Sequence, residues 1–199
     1  MKRLLIPVLS SVLTGITLAA CSSGSTSTPT TVQTGSPSLT SADCRAWLKA
    51  NPTARTAQTA DYELVAGVGV SEAMYTPTQA SSTHPASGEI MVAGQMDNGS
   101  NSMAMGSGST MSHVEVHICS KATGKAVAGA MPVISLQRTD SGATATAIPV
   151  AEMQGLDRKA ADIHYGNNVN MSAGGHYRLM VKINGQSGVI NVTAPAMSR

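Results

Sequence analysis

Residues 111–120 read MSHVEVHICS, and the alternation in this stretch decides the fold. Val114, Val116 and Ile118 alternate with His113, Glu115 and His117. Successive side chains of a strand point to opposite faces, so this segment is a strand with one apolar face. The other face carries two imidazoles and a carboxylate, with Met111 before them and Cys119 after. Those are metal-binding residue types, although a solvated polar strand face would also accommodate them. Residues two apart on one face are roughly 6.6 Å apart along the strand. Neighbouring pairs among His113, Glu115 and His117 can therefore reach one ion, and further ligands must come from another strand or loop.

The same pattern extends along the chain. DYELVAGVGV, GEIMVAGQ, VAGAMPVISLQR, GATATAIPVAEM, GGHYRLMVKIN and SGVINVT are short apolar runs separated by Gly, Ser, Asn and Pro. Asn184-Gly185 is a hairpin turn signal. No run of ten or more residues shows a helical period. With MSHVEVHIC, these runs predict an all-β fold, a single antiparallel immunoglobulin-like β-sandwich of about seven strands over residues 61–194. The chain has no Phe, so Val, Ile, Leu, Ala and Met must fill the core, with Tyr62, Tyr75, Tyr165 and Tyr177 as its larger pieces. In the last hairpin Tyr177, Leu179, Val181 and Ile183 face inward. Met131 and Met91 are read as core fillers.

The first twenty residues point to export. Lys2 and Arg3 precede an apolar segment from Leu4 to Ala19, too short for a spanning helix with flanks. Its end, Leu18-Ala19-Ala20-Cys21, resembles the lipobox of bacterial lipoproteins. The resemblance implies a signal peptide over residues 1–20, lipidation of Cys21, and a place in the cell envelope, outside the cytoplasmic membrane or in the periplasm. Residues 21–40 are rich in Ser, Thr, Gly and Pro and cannot bury enough apolar surface to offset ordering, which makes them a disordered tether. Residues 41–60 hold a short helix, capped by Ser41, and a linker; Trp47 and Leu48 would dock the helix on the domain. With Cys21 used by lipid, Cys44 and Cys119 remain, and that compartment permits a disulfide between them. Free thiols or thiolate ligands are the alternatives.

Loss of Lys2 and Arg3 from thirteen basic residues leaves eleven, against eleven acidic ones. That balance is no basis for a nucleic-acid surface, which needs clustered positive charge.

Two further segments carry candidate ligands. Residues 97–111, DNGSNSMAMGSGSTM, form a Gly/Ser loop with Met103, Met105 and Met111. Thioether sulfur suits Cu(I), so the loop reads as a capture arm; an oxidation-prone loop or an apolar contact patch reads equally from composition. In DIHYGNNV, His164 precedes a turn-forming run and is placed at a loop edge. His176 reads as an exposed strand start and His84 as ordinary loop.

HVEVHI, then Met153, then HYGNNV before a Gly-led final hairpin, resembles bacterial periplasmic iron-transport-associated proteins. Those are single immunoglobulin-like domains that bind copper and are linked to iron uptake. The resemblance implies His113, Glu115, Met153 and His164 as ligands of a copper ion, with iron as a second candidate. It implies a further His where this chain has Lys182, a place Met180 or the methionine loop would have to fill. His117 is not required by it. A membrane permease and a second copy of the chain are the protein partners it suggests.

No enzyme is expected. Five histidines without a His-x-His pair are fewer than the two-metal site of copper–zinc superoxide dismutases needs, and no nucleophile motif such as G-x-S-x-G is present. The competing reading is a tethered interaction module whose His/Glu face is a polar surface. Convergence of the four donors separates the two.

Overall fold

The computed structural model describes residues 44–96, 111–157 and 162–196. The expected signal peptide, Cys21, the tether, Ser41, Met103 and Met105 lie outside them. The described chain is mostly strand, in two sheets that form a β-sandwich.

One sheet has seven strands in the order β1 (Arg55–Gln58), β2 (Tyr62–Val70), β5 (Met111–Ser120), β9 (His164–Asn170), β8 (Ala151–Gly155), β4 (Glu89–Gly94) and β3 (Met74–Tyr75). The other has four: β11 (Gln186–Thr193), β10 (His176–Ile183), β6 (Val133–Arg138) and β7 (Thr146–Ala147). All pairings are antiparallel except β3 with β4.

The apolar faces meet between the sheets. Leu64, Val114, Val116 and Ile118 from one pack with Ile134, Leu179, Val181 and Ile190 from the other. Tyr165 and Tyr177 are buried in this core as expected. The Tyr165 hydroxyl donates to Val127 O at 2.6 Å and accepts from Ala130 N at 3.0 Å, so its burial leaves no polar group unmatched. One buried methionine, Met171, belongs to this core. Met131 does not: it is 43% exposed with φ of 39°, outside any strand and just before β6.

Three strands beyond the expected set appear. β1 and β3 are short edge strands. β9 is the substantive correction, because HYGNNV is not a turn but a strand flanked by β5 and β8. Asn favours turns because its amide can bond its own backbone. Here the amides bond elsewhere: Asn167 Nδ2 donates to Gln95 O at 3.0 Å and Pro149 O at 3.3 Å. Asn168 bonds the backbone of Glu72. The expected GATATAIPVAEM strand is divided into β7 and β8 around Pro149.

Two short helices flank the larger sheet, the first beside β2 and β5 and the second beside β3 and β4. α1 (Arg45–Ala50) carries Trp47 and ends where Asn51 Nδ2 donates to Trp47 O at 2.9 Å. Cys44, its cap, is disulfide-bonded to Cys119. Trp47 and Leu48 dock beside that bond, as expected. α2 (Pro77–Thr83) is an element beyond those expected; Thr76 and Gln79 form a capping box at its start, and His84, read as loop, ends it in the left-handed region.

Candidate metal centre

β5 is buried on both faces, which a polar outer face would not be if solvated. His113 and His117 are 2% and 0% exposed. The cover begins with α1. The Trp47 ring centroid lies 4.3 Å from that of His117. Gly67 makes room for it, since a Cβ there would sit 2.8 Å from Trp47 Cη2. Gly67 and Gly69 stand opposite Glu115 and His113 across the β2–β5 pair. The disulfide and the Arg45 Nε–Glu63 Oε2 contact at 2.7 Å hold α1 in place.

His164 is fully buried within the sheet, not at a loop edge. It is the hub of the face. Its ring centroid lies 5.7 Å from that of His113 and 5.4 Å from that of His117. On β8, Met153 is its direct cross-strand partner. Two sets of residues place one ligand atom each within 4.8 Å of one another: Glu89, His113 and His164, and Glu115, His117 and His164. These buried His/Glu groups can hold a metal ion.

Hydrogen-bond bookkeeping separates the two sets. Asn168 Nδ2 donates to Glu72 O at 2.7 Å and its Oδ1 accepts from Glu72 N at 3.1 Å, which fixes the amide. Oδ1 faces His113 Nδ1 at 3.2 Å, so that nitrogen carries the hydrogen and Nε2 holds a lone pair. His164 Nδ1 donates to Asp162 O at 2.8 Å, so Nε2 is the nitrogen that can give up a proton and offer a lone pair. His113 Nε2, His164 Nε2 and Glu89 Oε2 are the buried side-chain nitrogen and oxygen atoms without a hydrogen-bond partner among the described residues. His164 Nε2 and Glu89 Oε2 are in ion-pair contact at 2.6 Å, which leaves His113 Nε2 as the atom of this group with no partner at all.

Backbone or amide oxygens holding the remote ring nitrogen are the usual support of metal-bound imidazoles. The second set lacks this openness. His117 Nδ1 donates to Ile163 O at 3.1 Å and its Nε2 already contacts Glu115 Oε1 at 2.7 Å. Glu115 lies on the Nδ1 side of His164, at 3.6 Å, where the hydrogen is already given to Asp162.

The electrostatics favour a cation. Burial holds the His113 pKa below the ordinary imidazole range, so its lone pair is available. Burial opposes charge on His164 too, but Glu89 and Glu115 outweigh it and push its pKa up to about 9. Burial would raise Glu115, yet His117, His164 and His113 hold it below the usual carboxylate range. Burial, then Glu89 and Glu115, raise Glu72 to about 7. Burial also raises Asp162. Carboxylates thus crowd one histidine, and a proton or a metal ion relieves them.

The four residues singled out by motif, His113, Glu115, Met153 and His164, lie on one outer face of the larger sheet. The carboxylate that closes with His113 and His164 is Glu89, which motif reading missed; Glu115 sits with His117, which it set aside. Glu89 had a signal: it alternates with Met91 along GEIMVAG as His113 does with Glu115. Met111 begins β5, half-buried opposite Asn170. Lys182 is exposed and Met180 half-buried on the outer face of the four-stranded sheet, across the core, so a donor at either position cannot join this group. No protein-family model, curated protein or solved structure matches the chain.

Proposed function

We propose that this chain is a lipid-anchored, extracytoplasmic copper-binding protein that serves copper or iron uptake or copper tolerance by binding rather than turnover. The observation that carries the reading is the buried group Glu89, His113 and His164, which offers one ligand atom from each residue within 4.8 Å of the others and leaves His113 Nε2 without a hydrogen-bond partner. Two imidazoles and a carboxylate suit Cu(II), and the neighbouring Met153 thioether suits Cu(I). The convergence of donors favours this over a plain interaction module. The Cys44–Cys119 bond is compatible with an oxidising compartment. No helix of the described residues is long and apolar enough to cross a membrane; the proposed attachment is the lipid on Cys21. A membrane permease is the natural recipient of the ion.

The test is titration of the protein with Cu(II), and with Cu(I) under reducing conditions, read by competition and by Trp47 emission. One tight equivalent is expected for the wild type. Unchanged affinity in the His113→Ala, His164→Ala double variant would overturn the proposal.

A further inference from the structure

Methionine is unevenly placed in this protein. The core between the sheets manages without Phe and still uses only one methionine, Met171, among its buried residues. The small cluster beside the imidazole–carboxylate group is different: Met74, Met153 and Ala151 are buried, and Met91 and Met96 pack against them. Methionine as a general filler would be spread through both. Here it is gathered at one edge of the site.

The register fixes where these thioethers stand. Met74 pairs with Glu89 across β3 and β4. Met91 follows Glu89 by two residues on the same strand face and pairs with Met153, which pairs with His164. A row therefore runs Met91, Met153, His164 over three adjacent strands, with Met74 flanking the carboxylate. Immediately after Met91 the β4–β8 register shifts, leaving Val92 as the extra residue of a bulge. Bulges of this kind re-aim side chains next to functional sites.

We propose that Met74, Met91 and Met153 form a second, soft station for a monovalent d10 ion, Cu(I) in the cell, beside the imidazole–carboxylate group. Thioethers carry no charge and lose no proton on binding, so they select soft monovalent ions over Zn(II) or Cu(II). The neighbouring carboxylates Glu89 and Glu115 favour the cation without having to ligate it. Met91, only half-buried, is the side of entry. As a partner to the first station, this one rests on the copper reading; as a soft-ion site it does not.

The experiment uses the full chain with carbon-13-labelled methionine methyl groups. Zn(II) is added to one equivalent, then Ag(I), a redox-inert soft ion, is titrated. The proposal expects the Met74, Met91 and Met153 methyl signals, assigned by single Met→Leu variants, to move and saturate at one equivalent of Ag(I) while Zn(II) stays bound. The Met74→Leu, Met91→Leu, Met153→Leu variant keeps side-chain volume. It should lose saturable Ag(I) binding, while the Met74→Leu, Met91→Leu double variant, which leaves Met153 in place, should weaken Ag(I) binding and keep the Zn(II) affinity. Displacement of Zn(II) by Ag(I), unmoved signals from these three methyls, or wild-type Ag(I) binding by the triple variant would each overturn it. If Zn(II) fails to bind while Ag(I) still moves the three signals, the thioether station stands and the imidazole–carboxylate reading fails.

Discussion

Metal binding at Glu89, His113 and His164 must expel a proton, and the structure says from where. His164 has its pKa pushed up to about 9 by Glu89 and Glu115 against the opposing effect of burial. His113 is held neutral by burial. Near pH 7 only about 1% of His164 would be neutral, two units below that pKa. Apparent affinity for Zn(II), a redox-inert probe, should therefore rise about tenfold per pH unit from 7 toward 9, a total of about a hundredfold. An ordinary histidine, with a pKa near 6.5, would give an almost flat curve over that range. The assay is competition against a chelator of known affinity, corrected for the chelator's own protonation. Glu89→Gln removes one of the two carboxylates, with Glu115, that hold the proton, so it should lessen the slope and also weaken binding at pH 9. A corrected affinity that does not change between pH 7 and 9 would refute the argument that His164 holds the displaced proton.

Further outcomes follow from the same geometry. The metal-free protein should lose stability as pH rises: the raised His164 pKa contributes about 3 kcal/mol that is complete below pH 6.5 and gone above about 9. Glu72, raised to about 7, adds a loss in the same direction between its unfolded value and pH 7, and chemical denaturation at pH 4, 6.5 and 9.5 would measure both. Asn168→Leu removes the acceptor that fixes His113 Nδ1–H and should weaken Zn(II) binding about 10- to 100-fold, read in the same competition assay. Gly67→Ala places a Cβ 2.8 Å from Trp47 Cη2, so it should shift the emission of this single tryptophan to the red and cost about 1–3 kcal/mol of stability. Replacing Cys44 and Cys119 by Ala opens a link across a sequence separation of 75 and should lower stability by about 4 kcal/mol in thermal unfolding.

Much of this architecture is legible from alternation. Val114, Val116 and Ile118 against His113, Glu115 and His117 give both the sheet and its two faces. The Cys44–Cys119 bond and the docking of Trp47 beside it are legible from the small number of cysteines. Alternation does not say what covers a face, so it gives no warning that His113 and His117 are buried on the outer side of a sheet. That burial comes from α1 and from the segment around Glu72, joined to β9 through Asn168. The Asn167-Asn168 pair misleads because its turn preference is a local one, and internal hydrogen bonds override it. Glu89 is missed because it stands apart from the histidines in sequence and meets them only once β4, β8, β9 and β5 lie side by side. Lys182 illustrates the converse: a position matched by motif order belongs to the other sheet.

Crystals of the protein loaded with one equivalent of Zn(II), examined by anomalous scattering at the metal's absorption edge, test the central claim most directly. The account predicts one peak within about 2.0–2.2 Å of His113 Nε2, His164 Nε2 and a Glu89 carboxylate oxygen. A peak bound by Glu115 and His117 instead, or no peak on this face of the sheet, would contradict it.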